Sequence, residues 1–476
     1  MKNRLYIGLT VLICSFMLTA CDSFLDVDPK SDLTPDSFWK TENDANVGVI
    51  AIYHDFSKAM SSGYWTWGET RGGNFEYSFS QANLDLINNN IQIDNGAASW
   101  TNLYAAIGKA NAAIKYIPDI TMTLTTKRDF LAEAYAMRAW AYFYCIRVWG
   151  DVPLYLEPVE SIDQGIYRER TDKDYIIENV ILPDLEKAYT YISRTRDGTG
   201  SKRTRINVAT ICALLMDVYA WVNDYEMVVK IKEERVNLLN SSQWLVLTAE
   251  NGVDFASNWR TMFFETTGDK AYPEVWLRMG YDRLGNGNNS SRSTLAEGTS
   301  RLRISPKLMA TYDEIDGRAG VQWVGEKAQT SEGETTFYFL KKKFWTGNGP
   351  ATEDADVDLV MYRYADIVLL YAEALNALGR MEEAVTELNK TYTRAGNPAF
   401  SSGDFLSSEE LLDAILLERQ REFVGEGKRW FDLVRTNMWA EHTNLTDPDK
   451  VVFPIHRDHL NQNPNLKQNY PAYPYP

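Results

Sequence analysis

"YRYADIVLLYAEALNALGRMEEAVTELNKTYTRAG", residues 362–396, decides the fold. Its apolar spacing predicts two helices joined by a short turn at Leu378-Gly379. Ala372 and Ala384 fall where the two helices must approach closely, and small side chains permit it. At about thirty-four residues the unit has the layout of a tetratricopeptide-type repeat. Such a unit cannot bury its apolar face alone, so it needs helical neighbours from elsewhere in the chain.

The first half supplies them. Residues 43–60 read as a helix starting near Glu42, and 99–118 as another with Ser99 as cap and Pro118 as stop. The stretch 126–153 is apolar nearly all round, which predicts a buried helix ended by Gly150 and Pro153. Residues 171–192 and 205–239 complete the set, with a basic, Gly-rich loop from Arg194 to Arg205. The other helix pairs share the size of the quoted unit but not its sequence. The expected fold class is therefore mainly α: a tetratricopeptide-like helical repeat scaffold with a loop-rich, irregular second half carrying a few short strands.

Two regions break the helical pattern. Residues 61–90 pack aromatics, glycines and polar residues without a helix period, and 279–300 are rich in Gly, Asn and Ser after the strand-like "EVWLRM". Long ordered loops on a helical frame are where binding usually resides. Sugar rings present apolar faces fringed by hydroxyls, so a glycan site needs flat aromatics beside polar groups. Residues 61–81 offer both: Tyr64, Trp65 and Trp67, then Glu69, Arg71, Asn74 and Glu76. At a spacing of two, one of Trp65 and Trp67 is expected to face inward.

The chain opens with Lys2 and Arg4, followed by the apolar run Leu5–Leu18, which is too short to span a bilayer comfortably and suits a secretory signal. Leu18-Thr19-Ala20-Cys21 resembles a bacterial lipobox, which predicts cleavage after residue 20 and lipidation (palmitate among the chains) of Cys21. Several acyl chains hold a protein firmly where one holds it weakly. Without residues 1–20 the formal charge moves from −16 to −18, since two basic residues and no acids are lost. Such a surface excludes nucleic acid and anionic headgroups as general partners, leaving the lipid as anchor.

The chemistry-bearing residues point away from catalysis. Cys145 and Cys212 lie in apolar helical patterns and are expected to be buried free thiols. His456 and His459 lack a third ligand at zinc spacing, and a turn is expected there. The acidic residues 353–359 could chelate calcium but lack the glycine and terminal glutamate of an EF-hand, so a solvated loop and no cofactor are expected. In "ERQREFVGEGKRWFDLVR" (418–435), Glu418–Arg421, Glu426–Arg429 and Asp432–Arg435 are each three apart, a spacing that makes ion pairs on a helix and not an acid–base couple. Arg138, alone on an apolar helix, is expected to pair with a buried carboxylate. No nucleophile elbow, HExxH or phosphate-cradling loop occurs.

Six segments in order resemble the SusD/RagB family, the surface nutrient-binding lipoproteins of Bacteroidota. They are "CDSFLDVDP" (21–29), "WTNLYAAIGKANAAI" (100–114), "AEAYAMRAWAYFYCIRVWGDVPL" (132–154), "YRYADIVLLYAEALNALG" (362–379), "ERQREFVGEGKRWFDLVRT" (418–436) and "FPIHRDHLNQNPNLKQNYPAY" (453–473). His456 stands where the family usually has proline, which puts the local turn in question. The resemblance implies a signal peptide at 1–20, a SusD-like N-terminal helical region at 21–240 and a RagB/SusD C-terminal region at 241–476. It implies a cell-surface, outer-membrane lipoprotein for nutrient uptake that captures oligosaccharides and passes them to a SusC-type TonB-dependent transporter. Asp22 and Asp26 then look like an export address. The family also implies that the loop after the first helix and the one after the mid-chain strand line the site, here 64–77 and 281–292, with Tyr281, Arg283, Asn288 and Asn289. Peptide cargo in the manner of RagB is the alternative, and a glycoside hydrolase or a pure scaffold protein stand behind it.

Overall fold

The computed structural model describes residues 38–161, 164–196, 203–248, 272–281, 301–331, 333–340 and 358–473, together with Trp259, Met262, Phe263 and Lys343. The first helix, α1 (Glu42–Gly68), starts at a capping box: the Thr41 hydroxyl accepts from the Asp44 amide and the Asp44 carboxylate accepts from the Thr41 amide. It does not stop near Met60 as expected. Phe56, Met60, Tyr64 and Trp67 form one stripe at helical spacing, all buried, and carry the helix to Gly68. There a Cβ would sit 1.9 Å from the Gly427 carbonyl, so two backbones meet where only glycine fits.

After the short α2 (Gln81–Ile87), α3 (Thr101–Tyr116) begins at Trp100, which occupies the cap position in place of Ser99. The next helix, α4 (Leu124–Trp149), is buried continuously from Asp129 onward and ends at Gly150 with φ of 75°. Next come α5 (Leu182–Tyr191), α6 (Val208–Trp221) and α7 (Tyr225–Glu234). Further along lie α8 (Tyr364–Ala377) and α9 (Met381–Tyr392), the helix pair predicted at 362–396, with Gly379 at φ 76° in its turn. Then come α10 (Ser408–Phe423), α11 (Arg429–Arg435) and α12 (Arg457–Gln462).

The helices stack in sequence order, from α1 on α3 through α4, α5, α6 and α7 to α8, α9 and α10. The α7–α8 contact bridges residues 235–363, so the stack resumes after a long insertion as if uninterrupted. This is the repeat scaffold expected, each helix pair covering the apolar face of the next. Arg138 on α4 meets Asp184 on α5 through two parallel bonds of 2.7 and 2.8 Å and also donates to Asn111, as its isolation in an apolar helix predicts. Cys145 and Cys212 are buried free thiols.

Short strands decorate the stack. One sheet has the order β1-β5-β7-β6, from β1 (Phe75–Tyr77), β5 (Arg303–Ile304), β6 (Val324–Thr330) and β7 (Gly333–Phe339). Two antiparallel pairs complete the set: β2 (Val152–Pro153) with β3 (Arg170–Thr171), and β4 (Val275–Met279) with β8 (Leu359–Arg363).

A buried ion cluster ties the insertion to the stack. Arg363, at the end of β8, donates to Glu274 (2.6 Å), Glu422 (2.6 Å) and Glu426 (2.8 Å). Arg318 joins Asp316, Glu418 and Glu422 at 2.7–2.9 Å, Arg394 bridges Glu274 and Glu422, and Lys343 holds Glu426 at 2.7 Å. This corrects the local pairs expected in 418–435. Of those three, Asp432–Arg435 forms at 2.8 Å; Glu418 and Glu426 turn inward to distant cations, while Arg421 donates to the Thr311 carbonyl and Arg429 to that of Leu416. A carboxylate in the interior needs the strongest available partner, and a bidentate guanidinium across the fold outcompetes a neighbour three residues away that is itself bonded to a backbone carbonyl.

Removing one member leaves several charges without their partner. Arg363→Met should destabilise the protein by about 3–5 kcal/mol. Lys327→Met, which breaks an exposed pair with Glu334, should cost less than about 1 kcal/mol. Urea midpoints of the two variants check the contrast.

Candidate functional site

The structure does not assemble the binding residues predicted around 64–77. Tyr64, Trp65 and Trp67 project from α1 into the core, each less than 5% exposed. Tyr64 donates its hydroxyl to the Val360 carbonyl at 2.8 Å, and Trp67 its indole N–H to the Ala97 carbonyl at 2.7 Å. Rings buried this far have no face left for a sugar, so both tryptophans turn inward, not one. Arg71 is a buried clamp: it donates to Asn89 and to the carbonyls of Lys450 and Val451, while its guanidinium lies 3.9 Å from the Trp430 ring. Tyr281 is buried and donates to the Ser57 carbonyl. Cys21, Arg283, Asn288 and Asn289 lie outside the described residues.

Glu69 and Asn74 are interior as well. The Glu69 carboxylate accepts from Asn74 (2.7 Å) and from the Gly427 amide (3.2 Å) at the Gly68–Gly427 junction. Burial still dominates these bonds and pushes its pKa up to about 7.

Glu76 alone of the predicted residues within 64–77 reaches solvent, and it does so at a hollow. Phe75, Tyr77 and Phe79 alternate with a period of two, the signature of a strand in the stretch read as irregular. Phe75 points into the core, and an irregularity in the β1–β5 register between Phe75 and Tyr77 re-aims the residues beyond it. Phe79 stands 63% exposed, edge-on to Tyr77 at 5.1 Å. Arg303 on β5 pairs with Glu76 at 2.9 Å and lies 4.0 Å from the Phe337 ring and 4.8 Å from Tyr77. Glu76, Arg303, Met309, Thr336, Phe337 and Tyr338 are among the residues lining this concavity of about 270 Å³. Its size is near the low end of ligand pockets, about 300–1,000 Å³. The arrangement combines ring faces with a half-exposed carboxylate–guanidinium pair, which can exchange its own bonds for hydroxyl partners. Arg303, Thr336, Phe337 and Tyr338 carried no sequence signal, because the sheet brings them to Glu76 from more than two hundred residues away.

A second concavity, about 880 Å³, runs along α3 between its exposed face and residues 153–160 and 166–167, closed at one end by α12. Trp39 stacks on Tyr116 at the other end (5.8 Å, 18°). Its polar groups are largely engaged already. Tyr104 donates to the Pro153 carbonyl, Tyr155 to that of Ile166, Asn111 to that of Tyr155, and Lys109 pairs with Asp55. The His456–His459 turn proves to be the start of α12: His456 caps it by accepting from the Asp458 amide. His459 stacks on Trp100 and accepts from its amide, and burial lowers its pKa to about 4. These rings form an apolar trough with few polar groups free.

The carboxylates that the sequence offered as an acid–base set do not line either concavity. Glu418, Glu422, Glu426 and Asp432 are all less than 5% exposed and bound to arginines or lysine. Among the described residues the hollow's one lining carboxylate is Glu76, where glycoside hydrolysis needs two facing each other. Among the described residues no group of three or more His, Cys, Asp or Glu is placed to hold a metal ion, and no helix is long and apolar enough to cross a membrane. Of the acidic stretch 353–359, residues 353–357 lie outside the described residues; Asp358 is buried beside Arg278 at 3.6 Å.

Two family models match successive parts of the chain. One, described as starch-binding associating with outer membrane, covers residues 23–219; the other, the SusD family, covers 266–449. The chain is 29% identical to the SusD-like protein P38 of Formosa agariphila over 99% of this chain and 100% of that one. It is 23% identical to a SusD-like protein of Bacteroides ovatus, over 95% and 84% of the two chains. Among solved structures it superposes on NanU of B. fragilis with a TM-score of 0.77 (23% identity, 94% and 100% covered). It also superposes on surface glycan-binding protein A of Bacteroides uniformis with a TM-score of 0.72 (21% identity, 90% and 99% covered).

Glu69 gives this region a pH signature. The unfolded chain releases the proton near 4.5 and the folded chain near 7, so between those values the folded state holds more protons and loses stability as pH rises. The displacement corresponds to about 3 kcal/mol. Glu69→Gln should therefore gain on wild type by about that amount between pH 4.5 and pH 8, read from paired denaturant melts.

Proposed function

Because the chain belongs to the SusD family, we propose that it is a surface glycan-binding lipoprotein of the outer membrane. It holds oligosaccharide at the hollow of β1, β5 and β7 and leaves it chemically unaltered. The observation that carries the site is the Glu76–Arg303 pair between the partly exposed rings of Tyr77 and Phe337, with the exposed Phe79 edge-on to Tyr77. Each sugar unit has an apolar face to lay on a ring and hydroxyls to satisfy. Rings held edge-on to each other are pre-oriented, so little side-chain freedom is lost on binding. Glu76 accepts and Arg303 donates, a complement to hydroxyls that do both.

The rest of the reading concerns placement. Acyl chains on Cys21 hold the protein at the membrane, and the net acidic charge of the chain makes that anchor the main attachment. A SusC-type TonB-dependent transporter takes the cargo, in keeping with the family. No cofactor takes part.

Calorimetry against a panel of oligosaccharides and peptides tests the cargo. A glycan should bind, and Phe79→Ala and Arg303→Ala should each weaken it at least about tenfold, equivalent to about 1.4 kcal/mol. Leu406→Ala, at an exposed site elsewhere, should leave it unchanged. Peptide binding in place of glycan binding would move the cargo to the RagB-like alternative; silence across the panel at millimolar concentration would defeat the reading. Labelled palmitate should enter the wild-type chain and fail to enter Cys21→Ser.

A further inference from the structure

The chain is acidic overall, with a formal net charge of −16, yet one corner of the helix stack is not. Arg138 meets Asp184 near the start of α5 while Arg128 lies over Tyr191 at its end, so α4 and α5 run antiparallel. The neighbouring helices alternate in the same way. Lys127, near the start of α4, donates to the Pro118 carbonyl just past the end of α3. Arg205, just before α6, donates to Asn46 in the first turns of α1 (2.8 Å). Arg235, just past α7, shares the Tyr189 ring of α5 with Arg194, each at 4.3 Å.

Three exposed cations at this corner have no carboxylate partner among the described residues. Arg128 faces the Tyr191 ring at 5.8 Å and Arg194 the Tyr189 ring. Lys187 donates to the Tyr135 hydroxyl at 2.7 Å and lies over that ring at 4.4 Å. The carboxylates beside them are spent. Asp129 is buried on the Ser193 amide and Asp184 on Arg138, Glu186 pairs with Arg235, and buried Glu133 is shared by two arginines, Arg196 and Arg205. Stability does not account for the surplus. A cation at the end of α5 suits the helix dipole, but Lys127 and Arg128 stand in the first turns of α4, where the dipole favours acids and the first turn has none. Salt screens charges beyond about 8 Å, so acids elsewhere on the body do little to cancel the corner.

Such a corner suits a negatively charged surface more than a small anion, because its cations spread over the ends of two helices and each leans on its own ring. Tyrosine beside arginine or lysine is a pairing that settles at the headgroup level of a membrane, the ring in the interface and the charge at the phosphates. Leu124, 62% exposed, opens α4 four residues before Arg128 and adds an apolar contact. The described chain also begins at this end: Trp39 stacks on Tyr116, the last residue of α3. Cys21 is eighteen residues earlier, so a surface joined to it lies within about 65 Å of this end.

We infer that this corner docks on an anionic lipid surface, with Arg128, Lys187 and Arg194 on headgroup phosphates and Tyr189 and Tyr191 at their level. The acyl anchor then holds the protein while the corner sets which way it stands. From this end α1 runs about 40 Å to Gly68 at about 1.5 Å per residue, and β1 follows seven residues on, so the hollow and the corner can be engaged at once. The corner's role rests on the outer-membrane reading but fails separately from it, since palmitate incorporation tests attachment and an unacylated chain tests the corner.

Cosedimentation of the full chain carrying Cys21→Ser with lipid vesicles gives the measurement. Residues 1–20 are the same in every arm, so their own affinity for lipid cancels. Equimolar phosphatidylcholine–phosphatidylglycerol vesicles should bind the chain at least about tenfold more tightly than pure phosphatidylcholine vesicles, with the preference falling as salt rises. The triple variant Arg128→Glu, Lys187→Glu, Arg194→Glu should lose the preference. Lys307→Glu, Lys327→Glu, Lys467→Glu, the same change of charge on exposed lysines elsewhere, should keep it. Circular dichroism shows whether each variant is folded; should the first triple variant fail to fold, its single substitutions decide, each expected to reduce the preference about fivefold. Equal binding to the two vesicles overturns the inference, and so does equal loss in both triple variants, which would make net charge the cause. Retention on heparin that the first triple variant loses, without a preference between vesicles, would give the corner to an acidic glycan and overturn it equally.

Discussion

Arg363 and the three glutamates around it are the constraint on which the remaining architecture depends. The guanidinium sits at the junction of β8 and α8, the point where the insertion ends and the helix stack resumes. Glu274 arrives from the start of β4, and Glu422 and Glu426 from the end of α10 and the turn beyond it. One planar fork therefore fixes three chain segments at once, with an angular tolerance that apolar packing lacks. Four cations and five carboxylates share this interior, including Asp316 and Glu418 through Arg318. The desolvation of so many charges is costly, and such a cluster adds little net stability over a well-packed apolar core. Its use is specification: an alternative docking of the insertion leaves charges buried and unmatched.

The two surface concavities differ in how their tyrosine and arginine side chains spend their hydrogen bonds. Along α3 the hydroxyls are turned back onto the protein's own carbonyls, which stiffens the wall and leaves carbon facing outward. At the β1–β5–β7 hollow, Glu76 and Arg303 form an ion pair at 2.9 Å on a partly exposed surface. A surface ion pair holds its partners only weakly, so an incoming hydroxyl can replace either bond at small cost. Volume alone would rank the sites the other way. The accounting of free donors and acceptors separates a trough for apolar chain from a seat for a polar ligand.

The helices were legible because their signals are local. Thr41, Gly150 and the Leu378-Gly379 turn act within a few residues of themselves, and the stack arises from apolar faces that need covering. The extension of α1 through Tyr64, Trp65 and Trp67 was missed for the same reason in reverse. Glycines at 63 and 68 and adjacent aromatics look like loop composition, yet Trp67 folds over Gly63 and Gly68 receives the Gly427 carbonyl. Those glycines serve close approach and not chain reversal. The ion cluster was illegible in principle. Glu418 and Glu426 have plausible partners three residues away, and the ones they take, Arg318 and Arg363, lie 100 and 63 residues away. Of the candidate site, Glu76 could be named from composition, but Arg303 and Phe337 could not, since register in a four-stranded sheet is set by tertiary packing.

That separation of local from distant signals has a functional counterpart. The stack from α1 to α10 is made of helices that each touch their sequence neighbours, and residues 235–363 meet it through the buried charges of Glu274, Arg318 and Arg363. The hollow takes one strand, β1, from the segment just after α1, and two, β5 and β7, from the insertion. Changes in the insertion can therefore reshape the hollow while the helix contacts stay as they are, provided Glu274 and Arg363 still reach Glu422. A scaffold built this way confines stability to one set of residues and recognition to another, joined through a cluster whose geometry admits few substitutes. A binding surface that must vary with its ligand is best placed on the far side of such a joint, and the sheet stands there.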